Sequence, residues 1–434
     1  MSALDGPRNS SLVQALQLFL RPLETLDAWH QSYGDTFRVL ANELPPVVYF
    51  SSPESIQKIF TSDPEYLSPN RKFNSLTFLL GENSLISLSG EQHQRQKKML
   101  MPCFHSERIR EYSQIICAVT EQVISRWSPG KFIVVNSLMK EISLEIILNV
   151  VFGLKAGVLY NQLEKELLKL FDLINHPLTL ISATILPILQ ESLKIQVQQL
   201  DRVLYALIAE AKKQGTASCS NILAMLLEAR DESGQLMKET EVRDSLITIV
   251  FAGYENTAAA LSWSLYWSHY LPEVHKNLIN EIISVGDKSE IARLPYLSAV
   301  CSEALRLYPI SLLSFSRFVQ KPIEIMGYWF EPETSVNVSI YLAHHRPETY
   351  PEPKQFKPER FLERQFSPYE YLPFGGGNRR CIGAALAQLE IKLVLGTILS
   401  RLKLALVVNR PIKPVRRGFI MVPPEFEMVV TGVR

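Results

Sequence analysis

The residues with the most chemistry in this 434-residue chain lie at 374–383, FGGGNRRCIG. One thiol, Cys381, stands behind a glycine-rich turn and directly after Arg379 and Arg380. Glycines accept positive φ and let a backbone approach a flat ligand closely. The following IGAALAQLEIKLVLGTILSRL has apolar residues at helical spacing and predicts a helix over about 382–402. Cys381 then stands at a helix start, where the dipole and two cations favour a thiolate. A lone thiol is commonly just a buried structural cysteine. A nucleophile would want a histidine partner, and a zinc site further Cys or His at short spacing; neither is near in sequence. A single thiolate suffices as an axial ligand to haem iron.

Three other groups place charge or small residues at suggestive spacing. In CSEALRLYP, Glu303 and Arg306 are three apart and share a helix face, as many surface ion pairs do. Arg360 follows in the Pro-rich FKPERF. In GEQHQRQKKML, His93 and Lys97 are four apart beside Arg95 and Lys98, which also fits a solvated basic face. A long helical stretch, 239–270, contains FAGYENTAAA with Ala252, Gly253, Glu255, Asn256 and Thr257.

Together these runs resemble the cytochrome P450 family from about Tyr33 to Val430. The haem-loop pattern F-x-x-G-x-R-x-C-x-G is matched at Phe374, Gly377, Arg379, Cys381 and Gly383. The resemblance implies a haem b cofactor with Cys381 on the iron, Arg379 on a propionate and Phe374 near the sulfur. Gly375, Gly383 and Ala252 are further implied cofactor neighbours. Glu303, Arg306 and Arg360 match the family's buried structural triad. His93 and Lys97 match its propionate-binding helix, with Lys97 where the family has arginine and so without the bidentate fork. Arg317 is a further propionate candidate. The oxygen-activation pattern A/G-G-x-D/E-T-T/S fits at Ala252, Gly253 and Glu255, but Asn256 takes the usual threonine position and Thr257 follows it. In the family the acid–alcohol pair relays protons, so Glu255, Asn256 and Thr257 are the catalytic candidates. Asn256 donates and accepts hydrogen bonds but is no alcohol. Either the swap is neutral, or the chemistry leans less on that alcohol, as in radical coupling of an electron-rich arene.

Candidate pocket residues are Phe73, Leu76, Phe78, Leu79, Ile249, Phe251, Leu312, Phe315 and Phe419, any one of which also reads as plain core. As a set they imply an apolar substrate. The stretch HPLTLISATILPILQ resembles the family's mobile roof. The chain is most similar to a cyanobacterial branch associated with fatty acids, terpenoids and natural-product tailoring. The implied activity is that of an iron-dependent oxidoreductase: monooxygenation by dioxygen, most simply hydroxylation. A non-catalytic haem sensor, a peroxygenase and an isomerase are the other classes the same haem serves. No flavin or ferredoxin module is legible, so electrons are expected from a separate ferredoxin and ferredoxin reductase.

The elements that must position these residues are mostly helical. Helices are predicted over 52–62, 91–100, 106–127, 138–151, 160–173, 191–213, 220–229, 239–270, 272–285 and 296–307. Short strands are predicted over 36–40, 47–50, 323–325, 328–330, 335–339, 404–408 and 427–431. The fold class is mainly α with small β-sheets (α+β), as one haem domain over 1–434. Net charge is +1 and no basic tract stands out, which argues against a nucleic-acid partner. Five scattered cysteines, an odd number, point to a reducing compartment. SLVQALQLFL is far short of the roughly 20 apolar residues of a membrane span. It also lacks signal-peptide features, so a cytoplasmic protein is expected.

Overall fold

The computed structural model describes residues 4–41, 44–68, 76–154, 157–175, 187–215, 220–285 and 288–434. The chain opens with α1 (Ser11–Leu20), α2 (Pro22–Tyr33), β1 (Thr36–Ala41), β2 (Leu44–Phe50), α3 (Pro53–Thr61) and β3 (Leu67–Ser68). Next come α4 (Thr77–Leu80), α5 (Gly90–Leu100), α6 (Ser106–Ile124), β4 (Phe132–Val134), α7 (Val135–Phe152) and α8 (Val158–Asn175). These lead into α9 (Pro187–Gln214), α10 (Ile222–Glu228), α11 (Glu239–Tyr270), α12 (Pro272–Ser284) and α13 (Pro295–Leu307). Then follow β5 (Arg317–Val319), β6 (Ile323–Ile325), β7 (Tyr328–Phe330), β8 (Ser335–Val338), α14 (Ile340–His344) and α15 (Arg360–Glu363). The chain closes with α16 (Ala384–Arg401), β9 (Leu402–Leu406), β10 (Val415–Arg417), β11 (Ile420–Val422) and β12 (Glu427–Val433). Among the described residues no helix is long and apolar enough to cross a membrane.

Two compact units result. The first joins residues 1–73 to 298–381. Its sheet runs β1-β2-β8-β5-β3, with β2 and β8 parallel and the other pairs antiparallel. Val48, Phe50, Val336 and Val338 send alternate side chains into a core closed by Ile56, Ile59 and Phe60 of α3. Ser52 starts α3 by accepting the Ser55 N–H at 3.2 Å, with Pro53 preset at the first helical position.

The second unit joins residues 74–297 to 382–434. Helix α11 is buried along most of its 32 residues and packs on α7 and α16. Its apolar residues are spread around the axis, as in a helix enclosed by others. β4, β12 and β9 form an antiparallel sheet beside it, and β10–β11 a hairpin.

The predicted helices all form, with ends shifted by a few residues, and 239–270 matches α11. The helix expected from 382 begins at Ala384, so Cys381 lies three residues ahead of it. The N-terminal helices α1 and α2 and the strands β3, β4, β5, β10 and β11 are not in the predicted set. These strands have two or three residues, too few to show a period, and β3, β4 and β5 are defined by partners distant in sequence.

Candidate functional site

In the first unit the cysteine loop is pressed onto α3. Gly375 and Gly377 both have φ near +66°. A Cβ on Gly376 would lie 2.2 Å from the Phe60 ring, and one on Gly377 2.5 Å from the Phe60 carbonyl oxygen. Among the described residues nothing would meet a Cβ on Gly375 within 4 Å. The loop closes through the Cys381 N–H, which donates to the Phe374 carbonyl at 3.0 Å. Cys381 is exposed, whereas Cys103 and Cys301 are buried. Phe374 is half-buried.

Arg317 is buried against this loop. Its guanidinium donates to the Ile59 carbonyl at 3.0 Å and the Gly376 carbonyl at 3.4 Å, and lies 4.6 Å over the Phe60 ring. It has no carboxylate partner among the described residues. Desolvation, then repulsion from Arg379, brings its pKa down to about 10. Desolvation brings Arg379 down to about 10 as well. Both guanidiniums are desolvated beside one loop, a setting that favours a carboxylate-bearing ligand. A flat dianion passing the open side of Gly375 fits this donor set.

The same unit holds Glu303, Arg306 and Arg360 together. Arg306 forks onto Glu303 at 2.6 and 2.9 Å, both side chains fully buried. Arg360 Nε and the Lys357 N–H add bonds to Glu303 Oε1 at 3.1 and 2.8 Å. Arg306 also donates to the carbonyls of His344 and Pro353, each at 2.8 Å. His344 Nε2 in turn accepts the Leu372 N–H at 2.9 Å, two residues before Phe374. Burial, then Arg306, holds the His344 pKa well below its ordinary value, which keeps the ring neutral and able to accept. The triad thus reaches the cysteine loop through one histidine. Leu312 is buried in this unit and Phe315 exposed.

In the second unit Glu255, Asn256 and Thr257 sit mid-way along α11. Glu255 Oε1 accepts from Arg417 Nε at 3.0 Å, and Oε2 from Asn175 Nδ2 at 2.7 Å. Lys140 Nζ lies 3.8 Å away, its pKa lowered by burial and by Arg417. Arg417 also reaches Asp172, which is largely exposed, at 3.5 Å. Asn256 folds back on its own helix, Nδ2 donating to the Ala252 carbonyl at 2.8 Å. One amide proton remains, along with the Oδ1 acceptor. Thr257 is buried; Ala252 is half-buried. A Cβ on Gly253 would come within 3.0 Å of Ile147, so the small residue lets α7 approach.

A buried acid that the sequence reading did not single out lies nearby. Ser143 Oγ is 2.9 Å from Glu390 Oε1 and 3.2 Å from the Tyr254 carbonyl oxygen. Serine has one proton, so both contacts are satisfied when Glu390 keeps its own and donates it. Burial, partly offset by the Ser143 hydrogen bond, raises the Glu390 pKa to about 8. The signal was a carboxylate inside the apolar run ALAQLEIKLVL; Ser143 carried none. Nor did Asn175, Lys140 and Arg417, the partners of Glu255.

On α5, Arg95 is taken up by Asp231 and Glu241 at 2.8 and 2.7 Å, and Lys98 by Glu232. His93 is buried and Lys97 half-buried, four apart on one face. Of the pocket candidates here, Leu79 and Ile249 are buried, Leu76 and Phe251 half-buried, and Phe78 and Phe419 exposed. Phe251 lies 6.2 Å from Phe171. Phe73 and most of the roof stretch, 176–186, lie outside the described residues.

Comparisons with known proteins agree with this geometry. The family model Cytochrome P450 matches residues 5–430. Cytochrome P450 135B1 of Mycobacterium tuberculosis is 32% identical over 424 residues, covering 96% of this chain and 89% of its own. Cytochrome P450 135A1 of the same species is 34% identical over 409 residues, covering 91% and 87%. Among solved structures, the retinoic-acid-bound cyanobacterial CYP120A1 superposes with a TM-score of 0.82 at 22% identity, covering 96% of each chain. The haem domain of cytochrome P450DA gives 0.87 at 20% identity, covering 99% and 98%.

Proposed function

The chain belongs to the cytochrome P450 family and is a haem-thiolate monooxygenase, and from that premise we propose that it hydroxylates an apolar small molecule such as a terpenoid, a fatty acid or a natural-product intermediate. Haem, when bound, supplies an iron centre that accepts electrons and dioxygen and delivers one oxygen atom to the substrate. In this reading Cys381 is the iron ligand. Arg317 and Arg379 hold propionates; His93 and Lys97 are further propionate candidates by resemblance to the family. The observation that carries the reading is the pair of desolvated guanidiniums beside the open, exposed cysteine loop.

The proton supply follows from α11. The second amide proton of Asn256 orients a water, and Thr257 is the nearest alcohol in sequence. Glu255 faces a cluster of Lys140, Arg417 and Asn175 whose outer member, Asp172, meets solvent. That cluster supports a path for protons from outside to the helix. Leu76, Leu79, Ile249 and Phe251 of the second unit are apolar groups proposed to hold substrate and exclude water; Phe78, Leu312, Phe315 and Phe419 are further candidates from the sequence. The whole chain acts as one haem domain in the cytoplasm, fed by a separate ferredoxin and its reductase.

The test is the ferrous carbon monoxide spectrum. The wild-type protein is expected to show the red-shifted Soret band of thiolate ligation, and Cys381→Ser to lose it together with turnover. A variant that keeps the band overturns the assignment.

A further inference from the structure

Toward the start of α11, two consecutive charged residues, Arg243 and Asp244, are buried and take no part in the proposed proton path. They reach different partners. Arg243 Nε and Nη2 each meet Asp201 of α9 at 2.6 Å. Its Nη1 donates to Asp244 Oδ1 at 3.0 Å and to the Leu79 carbonyl at 3.4 Å. Asp244 Oδ2 accepts from the backbone N–H and from Nδ2 of Asn83, each at 3.0 Å. One turn on, Thr248 meets the Ser84 hydroxyl at 2.8 Å.

What these bonds hold is the segment 76–84. Its helix, α4, has four residues, too few to keep a shape unaided. The segment carries Leu76 and Leu79, two of the groups proposed to hold substrate. Helix α4 ends at Gly81, with φ +88°, where a Cβ would lie 2.1 Å from the Asp244 carboxyl carbon. The backbone is therefore pressed onto the carboxylate at a position that suits only glycine. Arg243 meanwhile divides one guanidinium between this segment and α9. An interior ion pair adds little stability over apolar packing of equal volume, yet losing one partner is costly. What it fixes here is the stance of Leu76 and Leu79 against α11.

We infer that Arg243 and Asp244 are specificity-determining positioning residues: by pinning the segment 76–84 to α11 and α9, they set the size of molecule that the apolar pocket admits. They act through Leu76 and Leu79 and not by touching substrate, so the inference rests on the pocket proposed above.

Azole binding to the ferric, haem-loaded full chain tests this, read as the Soret shift on nitrogen ligation of the iron. The probe 1-methylimidazole needs little room beyond the iron, whereas 1-dodecylimidazole also needs the pocket walls. Asp244→Asn keeps the volume but leaves one acceptor oxygen to serve both Arg243 and Asn83. It is expected to weaken 1-dodecylimidazole about tenfold and 1-methylimidazole less than about twofold. Asn83→Ala leaves the buried ion pair intact and is expected to show the same pattern at about threefold. Should Asp244→Asn yield no holoprotein, Asn83→Ala decides alone. A role in stability only would lower the unfolding midpoint and leave the ratio of the two affinities as in the wild type; that result overturns the inference. Leu79→Ala separates the two readings. If it weakens 1-dodecylimidazole while the Asp244 and Asn83 variants do not, the inference alone falls. If it too has no effect, the pocket assignment falls and takes the inference with it.

Discussion

Glu303 and Glu390 are both sealed from solvent, and the two units of the molecule hold them in opposite ways. Glu303 meets two guanidiniums and a backbone N–H, so its charge is answered on every side. Among the described residues Glu390 has no cation, and a single serine is its hydrogen-bond partner. The first is a buried ion cluster that ties chain segments to the cysteine loop. The second is a carboxylic acid that burial keeps protonated, lodged where α7, α11 and α16 meet. Glu255 is a third case, an ion-paired carboxylate near solvent, 13% exposed. The residue type is the same throughout; the partners supplied by distant chain segments decide whether it braces, stays neutral or sits in an ion pair near solvent.

The largest expected effect comes from breaking the Glu303 cluster. Arg306→Ala leaves a buried carboxylate short of its fork and should cost about 3–5 kcal/mol. Little soluble holoprotein is expected, and Arg306→Lys should not restore it, because an ammonium lacks the planar fork. Normal yield and haem content in either variant would remove the triad from its structural role.

Glu390→Gln should do the reverse of damage at neutral pH. The folded-state pKa, about 8, lies above the ordinary 4.5, so between these values the native protein binds more protons than the unfolded chain. Wild-type stability therefore falls as pH rises from about 5 to about 8, by up to a few kcal/mol. The amide does not titrate, so the variant should lack this fall while matching the wild type near pH 5. Parallel denaturation midpoints across that range would show that Glu390 is not held neutral.

For Glu255→Gln the expected stability change is small, within about 1 kcal/mol, because the pairs lie close to solvent. The effect should appear in catalysis, as slower turnover and less product per electron consumed. Unchanged coupling would take Glu255 out of the proton path. The smallest expected change in stability belongs to Asn256→Thr. A hydroxyl can make the same bond to the Ala252 carbonyl, so stability should move by no more than about 0.5 kcal/mol. Coupling or product pattern should shift, because the threonine then has no second proton to donate. Identical products at equal or greater turnover would make Asn256 a neutral replacement.

The cysteine loop was legible because its chemistry is written in ten consecutive residues. The Glu303–Arg306 pair was legible through its i, i+3 spacing; its third member stands 57 residues away and was reached by resemblance alone. Nothing local pointed from Glu255 to Arg417, 162 residues distant, or from Glu390 to Ser143, 247 residues distant. The N-terminal apolar segment was visible as a stretch too short to span a membrane. Which side of it faces solvent was not.

By itself the sequence determined the thiol and its arginines, the long central helix with an amide where an alcohol is expected, and the helical class of the fold. Each depends on neighbours in the chain, through backbone propensity, spacing or a helix period. Tertiary structure decided which charges are answered and which are not. Arg317 loses water with no carboxylate beside it among the described residues, Glu390 loses it without a described cation, and α1 buries Gln14 while Leu12, Leu16 and Leu20 stay in solvent. Desolvation is a property of everything packed around a group, and that packing is assembled from residues hundreds of positions apart.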